Sequence, residues 1–342
     1  MLSLALCEGR GITRNTIFME YKHTPVMLKE VLEVLSPSSG DYYIDCTLGG
    51  GGYTFELAQK VGSEGRVLAL DLDDLAIKNV KKEIEKRKIN NIVPVQENFK
   101  NLDKTAEEKM GKDVVFEGIV LDLGLSSAQL KDKERGFSFQ KDSPLNLSFD
   151  SAVSQGNKSV KYILNNYQEK ELFRIFKKFG EEPWAGPIAR KIIKERKEKK
   201  IKTSKELSDI IEKSLPHRFL SRVHKIKARI FQALRITVNE ELKNLEEALP
   251  KTPKLLKSGG ILTVVSYHSL EDRTVKDFLK RESRDCLCPP EVPVCRCGHQ
   301  AQLKIQKFKN KGKSKNFKTP EEKEIKKNPA ARSARLRAAI KI

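Results

Sequence analysis

The stretch "YYIDCTLGGGGYTFELAQKVGSEGRVLALDLDD", Tyr42 to Asp74, constrains this chain more than any other. Two apolar runs of strand length each end in acid, and four consecutive glycines, Gly49–Gly52, stand between them. Glycine weakens a fold unless the backbone must turn tightly or something must approach it closely. A strand, a glycine turn, a helix and a second strand open an α/β unit with a parallel sheet. In open sheets of that kind a ligand sits beyond the carboxyl ends of the strands, near the first strand's loop.

The alternation continues along the chain. Thr24-Pro25 reads as an N-cap with proline at the first helical position, followed by Leu28, Val31, Leu32 and Leu35 at helical spacing. Strands are expected at Tyr42–Cys46, Arg66–Leu70, near Ile92–Val95 and at Ile119–Asp122. Helices are expected over about Thr54–Val61, Leu75–Arg87 and Leu102–Lys109. After Ser127 the rhythm stops, and residues 131–221 carry helical patterns with no convincing strand. It resumes with a helix over about Ile230–Leu249 and an apolar strand at Ile261–Ser266. Residues 19–130 and 223–342 are therefore expected to form one α/β domain, interrupted by a helical insertion, 131–222. Short strands are expected at Leu303–Phe308 and Ser333–Ala338, with a mobile basic loop between them. The first eighteen residues read as a disordered extension, or as a start placed too early, because Met19 opens the first domain-like segment.

Charge narrows the partner. Lys and Arg number 66 against 46 Asp and Glu, a formal net charge of +20, so a polyanion is expected, nucleic acid first and an anionic membrane surface second. Residues 186–235 hold 16 Lys/Arg against 5 Asp/Glu, and residues 301–342 hold 14 against 3. Solvated charge on helical faces is the plainer alternative. No run is apolar enough to cross a bilayer, and the N-terminus fits no signal peptide; a soluble, cytoplasmic protein is expected.

Asp71 lies 20 residues past Gly51, at the end of the second strand, where a carboxylate can accept hydrogen bonds from two ribose hydroxyls. The loop departs from G-x-G-x-x-G, since Tyr53-Thr54 follow the glycines and no third spaced glycine packs the helix. That disfavours a pyrophosphate cradle, and with it a nicotinamide dehydrogenase. It favours a nucleoside ligand without phosphates, such as S-adenosylmethionine. The bland alternative is a floppy turn, with Asp71, Asp73 or Asp74 capping the next helix.

Several further segments occur in order: "HTPVML", "IDCTLGGGGYT", "GIVLDLGLSSAQL", "RGFSF", "FQALRITVNEEL", "SYHSLEDR" and "NPAARSARLR". With them the chain resembles, from about His23 to Ile342, the family of ribosomal RNA small-subunit methyltransferase H, also called MraW. The resemblance implies a class I, Rossmann-like S-adenosylmethionine-dependent methyltransferase domain interrupted by a helical substrate-recognition insertion. It implies methyl transfer to the exocyclic N4 of a cytosine in the decoding region of small-subunit (16S) ribosomal RNA, with the 30S subunit as partner. Carried over residue by residue, it puts cofactor contacts on Gly51, Gly52, Tyr53, Asp71, Phe99, Asp122 and Gln129. Phe99 would lie against adenine; its alternative is a core phenylalanine. Asp122 would neutralise the ligand's positive end or accept an N–H from the target amine; its alternative is a turn-starting aspartate. Gln129 would pair with the amino-acid end, or sit on a helix surface.

No catalytic residue is assigned, Asp122 and His268 being the candidates. The Asp/Asn-Pro-Pro-aromatic signature of other amino-methyltransferases is replaced by Asp122-Leu123-Gly124-Leu125. His268 could face the pocket, but Ser269-x-x-Asp272 is a capping-box pattern that would make "SYHSLEDR" a helix start. His23 lines the pocket mouth or merely precedes a helix. Three departures from the family pattern leave the target base open: Tyr53 in place of His, "SPLNLSFD" at Ser143–Asp150, and "EEPWAGPIARKI" with Pro183, Gly186 and Pro187. Rival readings are an amino-methyltransferase of this fold acting on another nucleotide or a protein amine, and a non-catalytic rRNA-binding assembly factor.

Of six cysteines, Cys7 and Cys46 are isolated, which excludes a secreted disulfide scaffold. Cys286, Cys288, Cys295 and Cys297 fall within twelve residues of a proline-rich stretch. They read either as zinc ligands or as reduced thiols stiffening a loop. No metal is expected at the active site, since this cluster is remote in sequence from the cofactor positions.

Overall fold

The computed structural model describes residues 25–126, 129, 135–137, 142–149, 159–289, 291–292, 294–310 and 313–342. The extension expected at 1–18, Thr24 and His23 lie outside these residues.

Strands β1 (Tyr42–Asp45), β2 (Arg66–Asp71), β3 (Ile92–Gln96), β4 (Phe116–Asp122) and β5 (Leu256–Ser266) pair in parallel. Strand β9 (Arg335–Lys341) runs antiparallel to both β5 and β6 (Leu303–Ile305). The seven-stranded order is β3-β2-β1-β4-β5-β9-β6, a doubly wound, Rossmann-like sheet. Strand order reverses between β1 and β4, so their carboxyl-end loops splay apart there and open a crevice.

Alternation along each strand explains both covered faces. Val67, Ala69 and Val120 join one core with Leu57 of α2 (Gly52–Val61), Val31 of α1 (Leu28–Leu35) and Val80 of α3 (Asp74–Arg87). Leu68, Leu70, Ile119 and Leu121 join the opposite core. There they meet Leu102 of α4 (Leu102–Met110), Leu245 of α10 (Glu241–Ala248) and Val275 of α11 (Ser269–Glu282). A third core holds α5 (Val160–Asn166), α6 (Glu169–Lys178), α7 (Ala185–Glu198), α8 (Ser204–Lys213) and the inner face of α9 (Val223–Asn239). Pro187, in the first turn of α7, removes no helical hydrogen bond there.

Four local expectations are corrected. Helix α1 begins at Leu28, not at Pro25: Met27 takes a left-handed conformation, and its N–H donates to Glu324 Oε1 at 2.7 Å, a cap supplied from the far end of the chain. The helix expected over Ile230–Leu249 starts earlier, at Val223, and breaks at Glu240, which sits at φ 50°. Asn239 stabilises the break by accepting from Phe149 N–H and donating to the Leu147 carbonyl. The expected basic loop between 308 and 333 contains a hairpin, β7 (Phe308–Asn310) with β8 (Lys313–Lys315), a helix α12 (Glu322–Lys327) and a 3-10 turn at Pro329–Ser333. Finally, the capping box of α11 is shifted by one residue. His268 is the N-cap, its Nδ1 accepting from Glu271 N–H, while Glu271 Oε2 accepts from His268 N–H. Asp272 is thereby freed to hold Arg335 and Arg337 of β9.

No helix among the described residues is long and apolar enough to cross a membrane.

Candidate functional site

A cavity of about 330 Å³ fills the crevice between β1 and β4, within the range of small-ligand sites. Its floor is the two strand-end loops. Its walls come from the polar face of α9 (Gln232, Arg235), from Tyr267 and His268 after β5, and from Asn328 near the carboxyl end.

Gly49, Gly50, Gly52, Tyr53, Asp71, Phe99, Asp122, Gln129 and His268 all line this cavity. Gly51 is not among the lining residues. It is the N-cap of α2 at φ 79°, and a Cβ there would lie 2.5 Å from the Phe55 ring, so its missing side chain serves helix packing.

Asp71 does not cap α3; that task falls to Asp73, whose Oδ1 accepts from Leu75 N–H at 3.1 Å. The Asp71 carboxylate instead takes Gly49 N–H on Oδ2 at 2.7 Å and Asp73 N–H on Oδ1 at 2.8 Å, pinning the glycine loop to the end of β2. Each oxygen keeps a further lone pair for the cavity. Burial pushes its pKa up to about 6, against the pull of those two backbone donors.

Asp122 ends β4. Its backbone N–H donates to Thr47 Oγ1 at 2.7 Å, tying the two loops together, and its Oδ1 accepts from Tyr267 hydroxyl at 2.7 Å. Burial first, then the negative charges of Asp45, Glu271 and Glu324, push its pKa up to about 7, the Tyr267 bond opposing them. Among the described residues Asp122 makes no ion pair. Gly124, at φ 129°, leaves room for the Tyr267 ring, which an added Cβ would meet at 2.9 Å. Tyr267 thus supplies an aromatic group beside the β4 acid, although the sequence after Asp122 has none.

Tyr53 points its hydroxyl to the Val26 carbonyl and is buried. Gln129 is committed at both ends: its Oε1 accepts from Ser126 N–H, and its Nε2 donates to Asp73 Oδ2. Asp73 is also gripped by both terminal nitrogens of buried Arg135, each at 2.7 Å, which gives this arginine a positioning task. Phe99 stands just past β3, half-buried against the α4 side of the sheet.

Glu241, His268 and Glu271 converge closely enough for a metal ion. Arg235 already holds Glu241 through two bonds of 2.8 and 2.7 Å, compensating that charge without one. His268 Nε2 lies 3.1 Å from Glu271 Oε1 at the cavity wall and makes no other polar contact among the described residues.

Sequence reasoning did not find Tyr267, Arg235 or Arg135 as site-building residues. All three stand in segments quoted for the resemblance; the partners of Tyr267 and Arg135 are distant in the chain, whereas Arg235 meets Glu241 six residues on, across the break between α9 and α10.

The profile of the MraW methylase family matches residues 20–342. The chain belongs to that family. It is 41% identical over 324 residues to a protein of Carboxydothermus hydrogenoformans named ribosomal RNA small subunit methyltransferase H, covering 95% of this chain and 99% of that one. It is 42% identical to a Clostridium botulinum protein of the same name, covering 95% and 100%. Among solved structures, an rRNA methylase from Streptococcus thermophilus aligns over 94% of this chain and 98% of its own, at 10% identity and a TM-score of 0.41, too distant to argue from. Within the MraW methylase family, then, this member builds its crevice from the β1, β2 and β4 strand ends closed by α9 and the loop after β5.

Proposed function

We propose that this chain transfers a methyl group from S-adenosylmethionine to the N4 amine of a cytosine in small-subunit ribosomal RNA. The observation that carries the reading is the pairing of a nucleoside-sized crevice with a surplus of acid. Asp71 offers spare lone pairs for ribose hydroxyls, and Asp122, which makes no ion pair among the described residues, is pushed up by burial and by the nearby charges of Asp45, Glu271 and Glu324. A ligand with a ribose at one end and a positive charge near the other relieves both conditions.

Asp71, Phe99 and the glycine loop would hold the adenosine half, Gly52 and Tyr53 the other half, and Asp122 the cationic centre. Gln129 supports the site from behind, through Ser126 and Asp73. S-adenosylmethionine brings a methyl group already activated on a sulfonium, so the protein need supply no covalent chemistry. Its residues orient the amine, a proximity effect worth several kcal/mol, and exclude water. Asp122 accepts the amine N–H on the oxygen not bonded to Tyr267, and the bound sulfonium favours the ionised carboxylate that this requires. The base must be unstacked to reach the crevice.

Residues 131–222 are assigned the role of gripping the RNA. Arg190, Lys194, Lys197 and Lys200 along and just after α7 are exposed, placed to neutralise phosphates. The test is incubation of small-subunit particles lacking the modification with labelled methyl donor, followed by mass-spectrometric mapping. One N4-methylcytosine in the decoding region is expected. Label at another nucleotide, or none with protein shown to bind the donor, rejects the reading.

A further inference from the structure

Between α11 and β6 the chain makes an excursion of about twenty residues, Ser283–Gln302, with no helix or strand among its described residues. A structureless loop that long is uncommon in a compact domain. Apolar burial does not hold it: Leu287 is 39% exposed and Val294 67% exposed. Its ends are closed, by Gln302 N–H on the Glu282 carbonyl at 2.9 Å and by His299 Nε2 at 3.1 Å from the Arg281 carbonyl. What organises the middle is sulfur. Cys286 Sγ lies 3.4 Å from Cys295 Sγ and 3.8 Å from Cys297 Sγ, and the last two are 3.6 Å apart. All four thiol sulfurs, Cys288 included, lie within 4.8 Å of one another.

A zinc ion bonded to four sulfurs at about 2.3 Å sets them about 3.8 Å apart at the corners of a tetrahedron. The spacing here is close to that, and too small to surround a multi-iron cluster. Backbone N–H groups are aimed at three of the sulfurs: Cys288 N–H at Cys286, Arg296 N–H at Cys288 and Leu287 N–H at Cys297, at 3.3–3.4 Å. Donors of that kind stabilise the negative charge that thiolate ligands bring to a metal. Two C-x-C pairs, each bent so that alternate side chains face one point, need something at that point.

We propose that Cys286, Cys288, Cys295 and Cys297 form a closed, structural zinc site. The four thiols bind as thiolates, their protons passing to solvent, and the metal replaces the hydrophobic core that this loop lacks. With four protein ligands the ion has no open position for substrate.

The test is elemental analysis of the full chain, purified without chelator from cells grown with zinc. About one zinc per chain is expected. It should be released in step with titration of four thiols by an organomercurial, and be absent from the Cys288→Ser, Cys297→Ser double variant. Cobalt exchanged into the wild-type chain should show the intense visible bands of a tetrahedral thiolate complex, a readout that does not depend on the variant folding. Wild-type protein without stoichiometric metal would overturn the proposal. So would iron in place of zinc, octahedral cobalt, or a native disulfide found between any two of these cysteines in protein alkylated at lysis.

Discussion

Asp122 is held by a tyrosine 145 residues further along the chain, and its chemistry depends on that bond. Removing the hydroxyl with Tyr267→Phe strips away a contact that opposes the rise in pKa. Turnover should fall by about ten- to a hundredfold, the acidic limb of the pH–rate profile should move upward, and affinity for the methyl donor should change much less. The same carboxyl carries a stability signature. Its folded pKa is raised above the ordinary value of 3.8 to about 7, so its contribution is intact below pH 4 and is lost as pH rises through 7. Asp122→Asn should therefore raise the melting temperature of ligand-free protein more at pH 8 than at pH 5. Asp71 and Asp122 were legible in the sequence because both are acids ending apolar strands. Tyr267 was not, because only the folded sheet brings the β5 loop against β4. Gln129 shows the opposite limit. A motif marks its position, but only the folded chain brings Ser126 and Asp73 to the two ends of its amide.

At the scale of elements, the C-terminal strand is clamped rather than merely paired. Asp272 on α11 accepts from Arg337 at 2.7 and 3.1 Å and from Arg335 at 2.8 Å. Burial raises its pKa, but the two guanidinium groups outweigh that and hold it below the usual range. This stabilisation is present above the ordinary carboxylate pKa and is lost as the pH falls through the depressed value. Asp272→Ala leaves buried Arg337 without its carboxylate partner and should cost about 3–5 kcal/mol at pH 7 by chemical denaturation, with a smaller penalty once the pH falls through the depressed value. The parallel strands were readable from their apolar runs, to within a few residues. Helix ends were less so, and for definable reasons. The start of α1 is capped by Glu324 from across the molecule. The shift in the α11 box arises because histidine can accept a backbone N–H as an N-cap, so Ser-x-x-Asp gave the wrong register. The break at Glu240 depends on Asn239 finding the Leu147–Phe149 backbone, which no local spacing encodes.

Over the whole molecule two opposite charges are segregated. The surface carries most of a +20 excess, while the crevice collects carboxylates. The first predicts that binding to the small subunit weakens steeply with salt. Reversing Lys194 and Lys197 to Glu should reduce that affinity by about tenfold or more, with donor binding unchanged by calorimetry. The second predicts proton linkage. A cation entering the crevice should lower the pKa values of Asp122 and Asp71 and expel protons between about pH 6 and 7. The measurement that tests the account most directly is calorimetric titration of the purified chain at pH 6.5, in two buffers of different ionisation enthalpy. The account predicts one S-adenosylmethionine per chain with protons released, fewer released by its neutral thioether product, and binding weakened by about ten- to a hundredfold in Asp71→Asn. Folded protein that takes up neither ligand, or that binds both without proton release and without regard to Asp71, would contradict it.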